Sequence, residues 1–221
     1  MNATMTLAEL ATTHPGASRV FHRHGLDFCC GGRRPLAEVC DEQGISAEDL
    51  VREIEAESAT AGDRTRWDAR PLPDLIQHIV TVYHARLRAE LPELVALAER
   101  VESRHGSKPS CPHGLAAHLI ETGDHAFAHM AKEEQVLFPM LLAGGAALAS
   151  GPIRQMEIEH DDHAANLART RALTGNFVPP AEACPTWRAL YVRLDALEAE
   201  LMEHIHLENH VLFPRALRAE S

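Results

Sequence analysis

Apolar residues recur along most of this chain at spacings of three and four, and no stretch alternates as a strand would, so the pattern predicts helices throughout. The first 60 residues read as short helices. Thr6-Leu-Ala-Glu9 has the form of a capping box. Pro15 suits the first turn of a helix ending at Gly25, and Pro35 begins another ending at Gly44. Ser46-Ala-Glu-Asp49 opens a third that runs to about Ser58, and Ser58-Ala-Thr-Ala-Gly-Asp63 reads as a linker. From Pro71 the pattern changes to four long helical stretches, near 72–103, 113–143, 152–174 and 182–217. They are separated by 104–112, by Gly144-Gly145 through Gly151-Pro152, and by Gly175 through Pro179-Pro180. Short breaks between four long helices imply an up-down-up-down four-helix bundle, with Pro92 as a kink point in its first member. The expected architecture is therefore all-α: a small helical domain over 1–62, then a bundle over 71–221. A unit of about 60 residues is marginal alone and gains from docking or from forming a homodimer.

Composition agrees with helices. The chain has 221 residues and is 45% hydrophobic but only 5% aromatic, with Leu and Ala dominating the apolar set. A formal net charge of −11 argues against nucleic acid and anionic membrane surfaces as main partners. Nothing approaches the roughly 18 apolar residues of a membrane helix. The N-terminus has neither the basic region nor the apolar run of a secretory signal. Five Cys without disulfide-framework spacing then point to the cytoplasm, where free thiols persist.

Chemistry enters through a repeat. His129-Met-Ala-Lys-Glu133 recurs as His204-Ile-His-Leu-Glu208, and each copy runs on into Leu-Phe-Pro, ending at Pro139 and Pro214. The copies are 75 positions apart (129 to 204, 133 to 208). An imidazole and a carboxylate four residues apart share one helix face. At about 100° per residue, His204 and Glu208 fall in the apolar stripe with Leu197, Leu201 and Leu212, while His206 and His210 fall opposite, toward solvent. The same projection places His129 and Glu133 with Leu115, Leu119, Val136 and Met140. It leaves His118 and His125 at the edge, half exposed, with His125 alternatively beside the site. In the first stretch His84 lies with Val80, Leu87, Leu91 and Val95, and His78 does not. In the third the projection does not separate His160 from His163. The spacing from His84 favours His160, 76 positions on. The bundle thus reads as one helix pair duplicated, each copy supplying a His and then His-x-x-x-Glu.

Buried Glu costs several kcal/mol unless its charge is compensated. The set His84, His129, Glu133, His160, His204 and Glu208 can hold two metal ions, two His on each, with both Glu bridging. Nitrogen and oxygen donors suit Fe, Mn, Zn or Co. Two ferrous ions would be balanced by two carboxylates and an oxo bridge, leaving open positions for a small ligand such as O2 or nitric oxide. A ferritin-like carboxylate site would need Glu-x-x-His twice. Glu157-Ile-Glu-His160 and Glu203-His-Ile-His206 have that form, but the projection turns the second to solvent.

This ligand pattern resembles a hemerythrin-like bundle. Gly25-Leu-Asp-Phe-Cys29-Cys30-Gly31-Gly32 resembles the signature of the domain that precedes such bundles in iron–sulfur cluster repair di-iron proteins of the ScdA/YtfE type. The two segments cover nearly the whole chain, and the six ligand positions match. The resemblance implies a cytoplasmic non-heme di-iron protein that restores iron–sulfur clusters damaged by oxidative or nitrosative stress, with damaged iron–sulfur proteins as partners. It leaves open a nitric oxide reductase at the same centre, and an O2 or nitric oxide sensor or carrier. Adjacent Cα atoms lie about 3.8 Å apart, against roughly 4.4–6.8 Å for ordinary disulfides, so a Cys29–Cys30 bond would be strained and reducible. His22, Arg23, His24, Arg33 and Arg34 flank the pair and are expected to lower a thiol pKa. Gly31-Gly32 leaves room for a ligand to approach. The pair reads as a site for redox exchange or iron transfer, or else as small buried apolar residues. Cys40, Cys111 and Cys184 receive no role.

Overall fold

The computed structural model describes residues 4–60 and 65–218. Four short helices come first: α1 (Leu7–Thr13), α2 (Ala17–Arg23), α3 (Leu36–Gln43) and α4 (Ala47–Thr60). Four long ones follow, and three of them contain a wide π turn. In α5 (72–105) the segments Leu72–His78 and Ala85–His105 flank a π turn at Ile79–His84. In α6 (115–142) the π turn is Glu133–Leu137, between Leu115–Lys132 and Phe138–Leu142. The helix α7 (Ala146–Thr174) is uninterrupted. In α8 (185–218) the π turn Leu207–Leu212 lies between Pro185–His206 and Phe213–Arg218. Among the described residues there is no strand; Thr6 and Pro35 form an isolated bridge. The all-α expectation holds.

Local chemistry accounts for the short helices. Thr6 and Glu9 form the capping box in full: Thr6 Oγ1 accepts from the Glu9 amide at 3.1 Å, and the Thr6 amide donates to Glu9 Oε2 at 2.9 Å. The helix α3 stops at Gly44, whose φ of 67° suits a residue without Cβ. Several boundaries differ from the sequence reading, among them the start of α8, which is Pro185 rather than 182. The helix α7 starts at Ala146 rather than at 152, running through Gly151 and Pro152; that proline falls two turns in, where its missing N–H interrupts one bond of the ladder. The helix α4 continues to Thr60, and residues 61–63 of the expected linker lie outside the described residues.

The chain divides into two compact units, Met1–Gln77 with Leu201–Ser221, and His78–Glu200. In the first, α1 packs on the π turn of α8, which resolves the marginal size of the N-terminal segment by docking. Leu7, Leu10, Phe21, Phe28, Ile205, Leu212 and Phe213 are buried there. Polar contacts pin the same helix: Ser18 Oγ donates to Glu203 Oε2 at 3.0 Å, and Arg215 donates to the Trp67 and Arg70 carbonyls at 2.7 and 2.6 Å. In the second unit, α5 packs on α6 and α6 on α7. Its buried aromatic centre is Trp187, edge-on to Tyr191 with centroids 6.2 Å apart.

Candidate metal centre

The unit His78–Glu200 brings His84, His129, Glu133 and His160 together, all buried. Glu133 Oε2 lies 3.4 Å from His84 Nε2 and 3.5 Å from His129 Nε2, and His160 Nε2 lies 3.1 Å from His129 Nε2. Ligand atoms of His129, Glu133 and His160 fall within 4.8 Å of one another, as do those of His84 and Glu133. The other unit carries the second copy of the motif, with His204 Nε2 2.9 Å from Glu208 Oε1 and both side chains buried.

The π turns sit at these residues. His84 ends one, Glu133 begins another, and Glu208 lies in the third. A π turn inserts one residue into the α register, and such insertions cluster at functional sites. The sequence contains the cause. Ile79-Val80-Thr81-Val82 is a β-branched run, poorly suited to a regular helix. Pro139 and Pro214 each follow a π turn and lack the N–H that an α ladder would direct at residue 135 or 210. A projection at a uniform 100° drifts across these insertions. Val136, expected in the core, is 53% exposed, and Leu137 and Phe138 are buried in its place.

Two carboxylates that the sequence reading missed orient the imidazoles. His84 Nδ1 lies 2.7 Å from Glu134 Oε1, which also accepts from Arg88 at 2.8 Å. His129 Nδ1 lies 3.0 Å from Glu159 Oε2, whose other oxygen accepts from Lys132 at 2.6 Å and Gln155 at 2.8 Å. Each carboxylate selects the Nδ1–H tautomer and turns the Nε2 lone pair toward Glu133, the arrangement that raises the basicity of metal-binding imidazoles. Burial pushes the Glu159 carboxyl up, but the bonds from Lys132, Gln155 and His129 outweigh it and hold it down at about 2. Glu134 is lowered in the same way, against burial, by His84 and Arg88. The sequence signal was adjacency: each carboxylate neighbours a motif residue, Glu133 or His160. Replacing Glu159 with Gln is expected to weaken metal binding about 10- to 100-fold, as loss of such partners generally does. Chelator competition reads this; unchanged affinity would reduce Glu159 to a partner of Lys132.

The donor set fits a cation. Neither carboxylate oxygen of Glu133 has a hydrogen-bond partner among the described residues, although the side chain is fully buried. An uncompensated buried carboxylate is costly, and a divalent ion removes that cost. Nitrogen and oxygen donors from His and Glu suit iron.

Several histidines land where the projection did not put them. His118 is 1% exposed, with Nε2 3.0 Å from both the Asn166 carbonyl and Thr170 Oγ1. His163 is buried edge-on to His129, with ring centroids 4.9 Å apart, while His160 takes the position facing Glu133. His125 is exposed. His206, expected in solvent, is 2% exposed: its Nε2 lies 3.2 Å from Thr12 Oγ1, and its ring packs on Phe28 with centroids 5.6 Å apart. The opposite face of α8 is therefore covered by α1 and the Cys loop. The ferritin-like alternative still fails, because Glu203 and His206 are engaged with Ser18 and Thr12.

Cys29 and Cys30 are free thiols in a turn organised by Asp27. Asp27 Oδ1 accepts from the Cys29 and Cys30 amides at 3.1 and 2.9 Å, and Oδ2 from the Gly31 amide at 2.9 Å. The Cys29 thiol donates to Asp27 Oδ1 at 3.2 Å and toward Cys30 Sγ at 3.9 Å. Its pKa is pushed well above the ordinary thiol value, first by that bond to Cys30, then by burial and by the charges of Cys30 and Asp27. The expected lowering by flanking basic residues does not reach Cys29. Arg23 pairs with Glu53 and Glu57 at 2.6 and 3.1 Å, His24 with Glu53 at 2.7 Å, and Arg34 with Glu38 and Glu42 at 2.7 and 2.6 Å. Gly32 leaves no room for a ligand: a Cβ there would lie 2.3 Å from the Phe28 carbonyl and 2.7 Å from His210 Nε2.

Long helices that carry buried His and Glu at their π turns define a hemerythrin-like cation-binding protein. Residues 75–216 match the hemerythrin HHE cation binding domain, and residues 3–58 match ScdA_N, a domain of unknown function. The chain is similar to the iron–sulfur cluster repair protein YtfE of Yersinia pseudotuberculosis serotype IB (strain PB1/+), with 46% identity over 215 residues and 97% of each chain covered. The YtfE protein of Yersinia pestis (strain Pestoides F) is 46% identical over the same length, again with 97% of each chain covered. The chain belongs to this YtfE-type family of iron–sulfur cluster repair proteins. Among the described residues no helix is long and apolar enough to cross a membrane.

Proposed function

We propose that this chain is a di-iron protein that restores iron–sulfur clusters damaged by oxidative or nitrosative stress, by supplying or handling iron. One observation carries the reading: the buried carboxylate of Glu133, without a hydrogen-bond donor, faces imidazole nitrogens whose far sides are held by Glu134 and Glu159. His84, His129, His160 and His204, with Glu133 and Glu208, would hold two iron ions. Support for two ions comes from the duplicated motif, and from Glu133 Oε2 standing at nearly equal distances, 3.4 and 3.5 Å, from His84 and His129. When bound, the iron supplies redox chemistry and open positions for nitric oxide or O2. The chain's own residues orient His84 and His129 through Glu134 and Glu159, keep the ligand nitrogens out of water, and leave Cys30 less buried than Cys29. The division of labour follows 1–62 and 71–221: the bundle stores or reacts, and the Cys29–Cys30 turn passes iron or electrons to damaged iron–sulfur proteins in the cytoplasm.

The test is reactivation of a nitric-oxide-damaged iron–sulfur dehydratase by the iron-loaded protein, with iron counted before and after. Recovery of the enzyme is expected, together with nitrosyl bands when the ferrous protein is titrated with nitric oxide. No recovery from fully loaded protein would overturn the repair reading. Catalytic loss of nitric oxide with stoichiometric nitrous oxide, and no recovery, would replace it with a reductase.

A further inference from the structure

The π turn Leu207–Leu212 presents three consecutive side chains with different work: Glu208, Asn209 and His210. Asn209 Nδ2 donates to the Cys29 carbonyl at 3.1 Å, and His210 Nε2 donates to the same oxygen at 3.0 Å. Both lone pairs of that carbonyl are thereby occupied. Asn209 is 7% exposed and its bond is buried, while the bond from the half-buried His210 is partly so. The turn is thus gripped from two sides, by Asp27 on its amides and by Asn209 and His210 on its carbonyl. One turn back, His206 closes on Thr12 and on the ring of Phe28, the residue before Cys29. Gly32 lets the backbone close against His210. The outcome is unequal thiols: Cys29 is 2% exposed, and Cys30 is half-buried.

We infer that Asn209 and His210 are positioning residues that tie the Cys29–Cys30 turn to the turn carrying Glu208, so that iron binding keeps Cys29 covered and iron release uncovers it. The inference rests on the proposed role of Glu208 as a ligand. A π turn is one residue out of α register, so it has a nearby alternative packing, and a ligand that holds Glu208 biases the choice. Asn209 and His210 are covalent neighbours of Glu208 and move with it. The carbonyl they hold belongs to the residue whose sulfur is hidden. Departure of iron and exposure of the second thiol are then one event, and a dithiol becomes available when there is iron to receive.

The experiment measures alkylation by iodoacetamide, mapped to individual cysteines by mass spectrometry, in iron-loaded and chelator-treated protein. In the wild type, Cys29 is expected to react on the order of tenfold faster without iron, the scale of losing hydrogen bonds to one buried carbonyl. In Asn209→Ala/His210→Ala, Cys29 is expected to react fast in both states, with iron content unchanged. His210→Gln, which keeps a donor, is expected to retain the wild-type difference. Cys40, fully buried, is the internal control and must stay unreactive. If it reacts, the double variant has unfolded, and Asn209→Asp, which removes the amide donor at constant size, takes its place. Equal Cys29 rates in loaded and chelated wild type would overturn the coupling, and the same iron effect in the clasp variant would overturn the role of Asn209 and His210. A wild type that takes up no iron would instead defeat the metal reading. The clasp would then be judged in metal-free protein, where equal rates in variant and wild type overturn it.

Discussion

Glu133→Ala is expected to lose most of the iron, and Glu133→Leu to lose it while making the metal-free protein more stable. The two effects share one cause. Glu133 is fully buried, and neither of its oxygens has a hydrogen-bond partner among the described residues, so without a cation it is a burden on the fold. A buried charge without a hydrogen-bond partner costs on the order of several kcal/mol, and an apolar side chain of similar volume does not carry that cost. In loaded protein the same change removes the carboxylate standing between His84 and His129. His204→Ala is expected to lose iron as well. His206→Ala, two residues on, is expected to keep its iron but melt lower, because His206 fills a buried place against Thr12 and Phe28. Metal quantification and thermal melts of loaded and metal-free protein read all four variants. Full occupancy in the Glu133 or His204 variants would sink the site assignment, and a metal-free Glu133→Leu less stable than wild type would sink the account of why the carboxylate is there.

The second large effect separates storage from delivery. Cys29→Ser/Cys30→Ser is expected to keep its iron and its absorption bands, because neither thiol belongs to the proposed ligand set. A serine hydroxyl at 29 can still donate to Asp27 Oδ1, where the Cys29 thiol donates at 3.2 Å, so the turn should persist. Reactivation of a damaged iron–sulfur enzyme is expected to fall close to background, since a hydroxyl neither undergoes thiol exchange nor binds iron as a thiolate does. Loss of iron in the variant would show that the turn supports the centre directly. Full repair with iron retained would make the pair structural and assign the function to the bundle.

Much of the candidate site was legible because its signals are local. A His and a Glu one helical turn apart, repeated at an offset of 75, need only the pitch of a helix to be read. The offset of 76 pointed to His160, whose ligand atom lies within 4.8 Å of those of His129 and Glu133, while His163 packs against His129. The projection failed within the π turn of α6, where the wider turn shifts the register and Val136 lies outside; Leu87, Leu91 and Leu212 are buried as projected. It failed also at His206 and His118, for another reason. A helix face turned away from the metal is solvent only if nothing else packs there, and α1 does pack on α8, as α7 does on α6. The expected lowering of a thiol pKa does not reach Cys29, because proximity in sequence is not proximity of charge. Arg23 and Arg34 turn to carboxylates on α4 and α3, and Cys29 meets Asp27 instead.

By itself the sequence determined the helical class and the capping of the first short helix, and it nominated six candidate ligands, from spacing along single elements and the offset between them. It contained the reasons for the π turns without declaring them, since a β-branched run and a late proline have other uses. Only the tertiary structure decided which carboxylates hold the imidazoles, where the far face of α8 goes, and what holds the Cys29 carbonyl. Asn209 reaches that oxygen from 180 residues away. A hydrogen bond between elements depends on how both pack, and no periodicity within either one encodes the other's position.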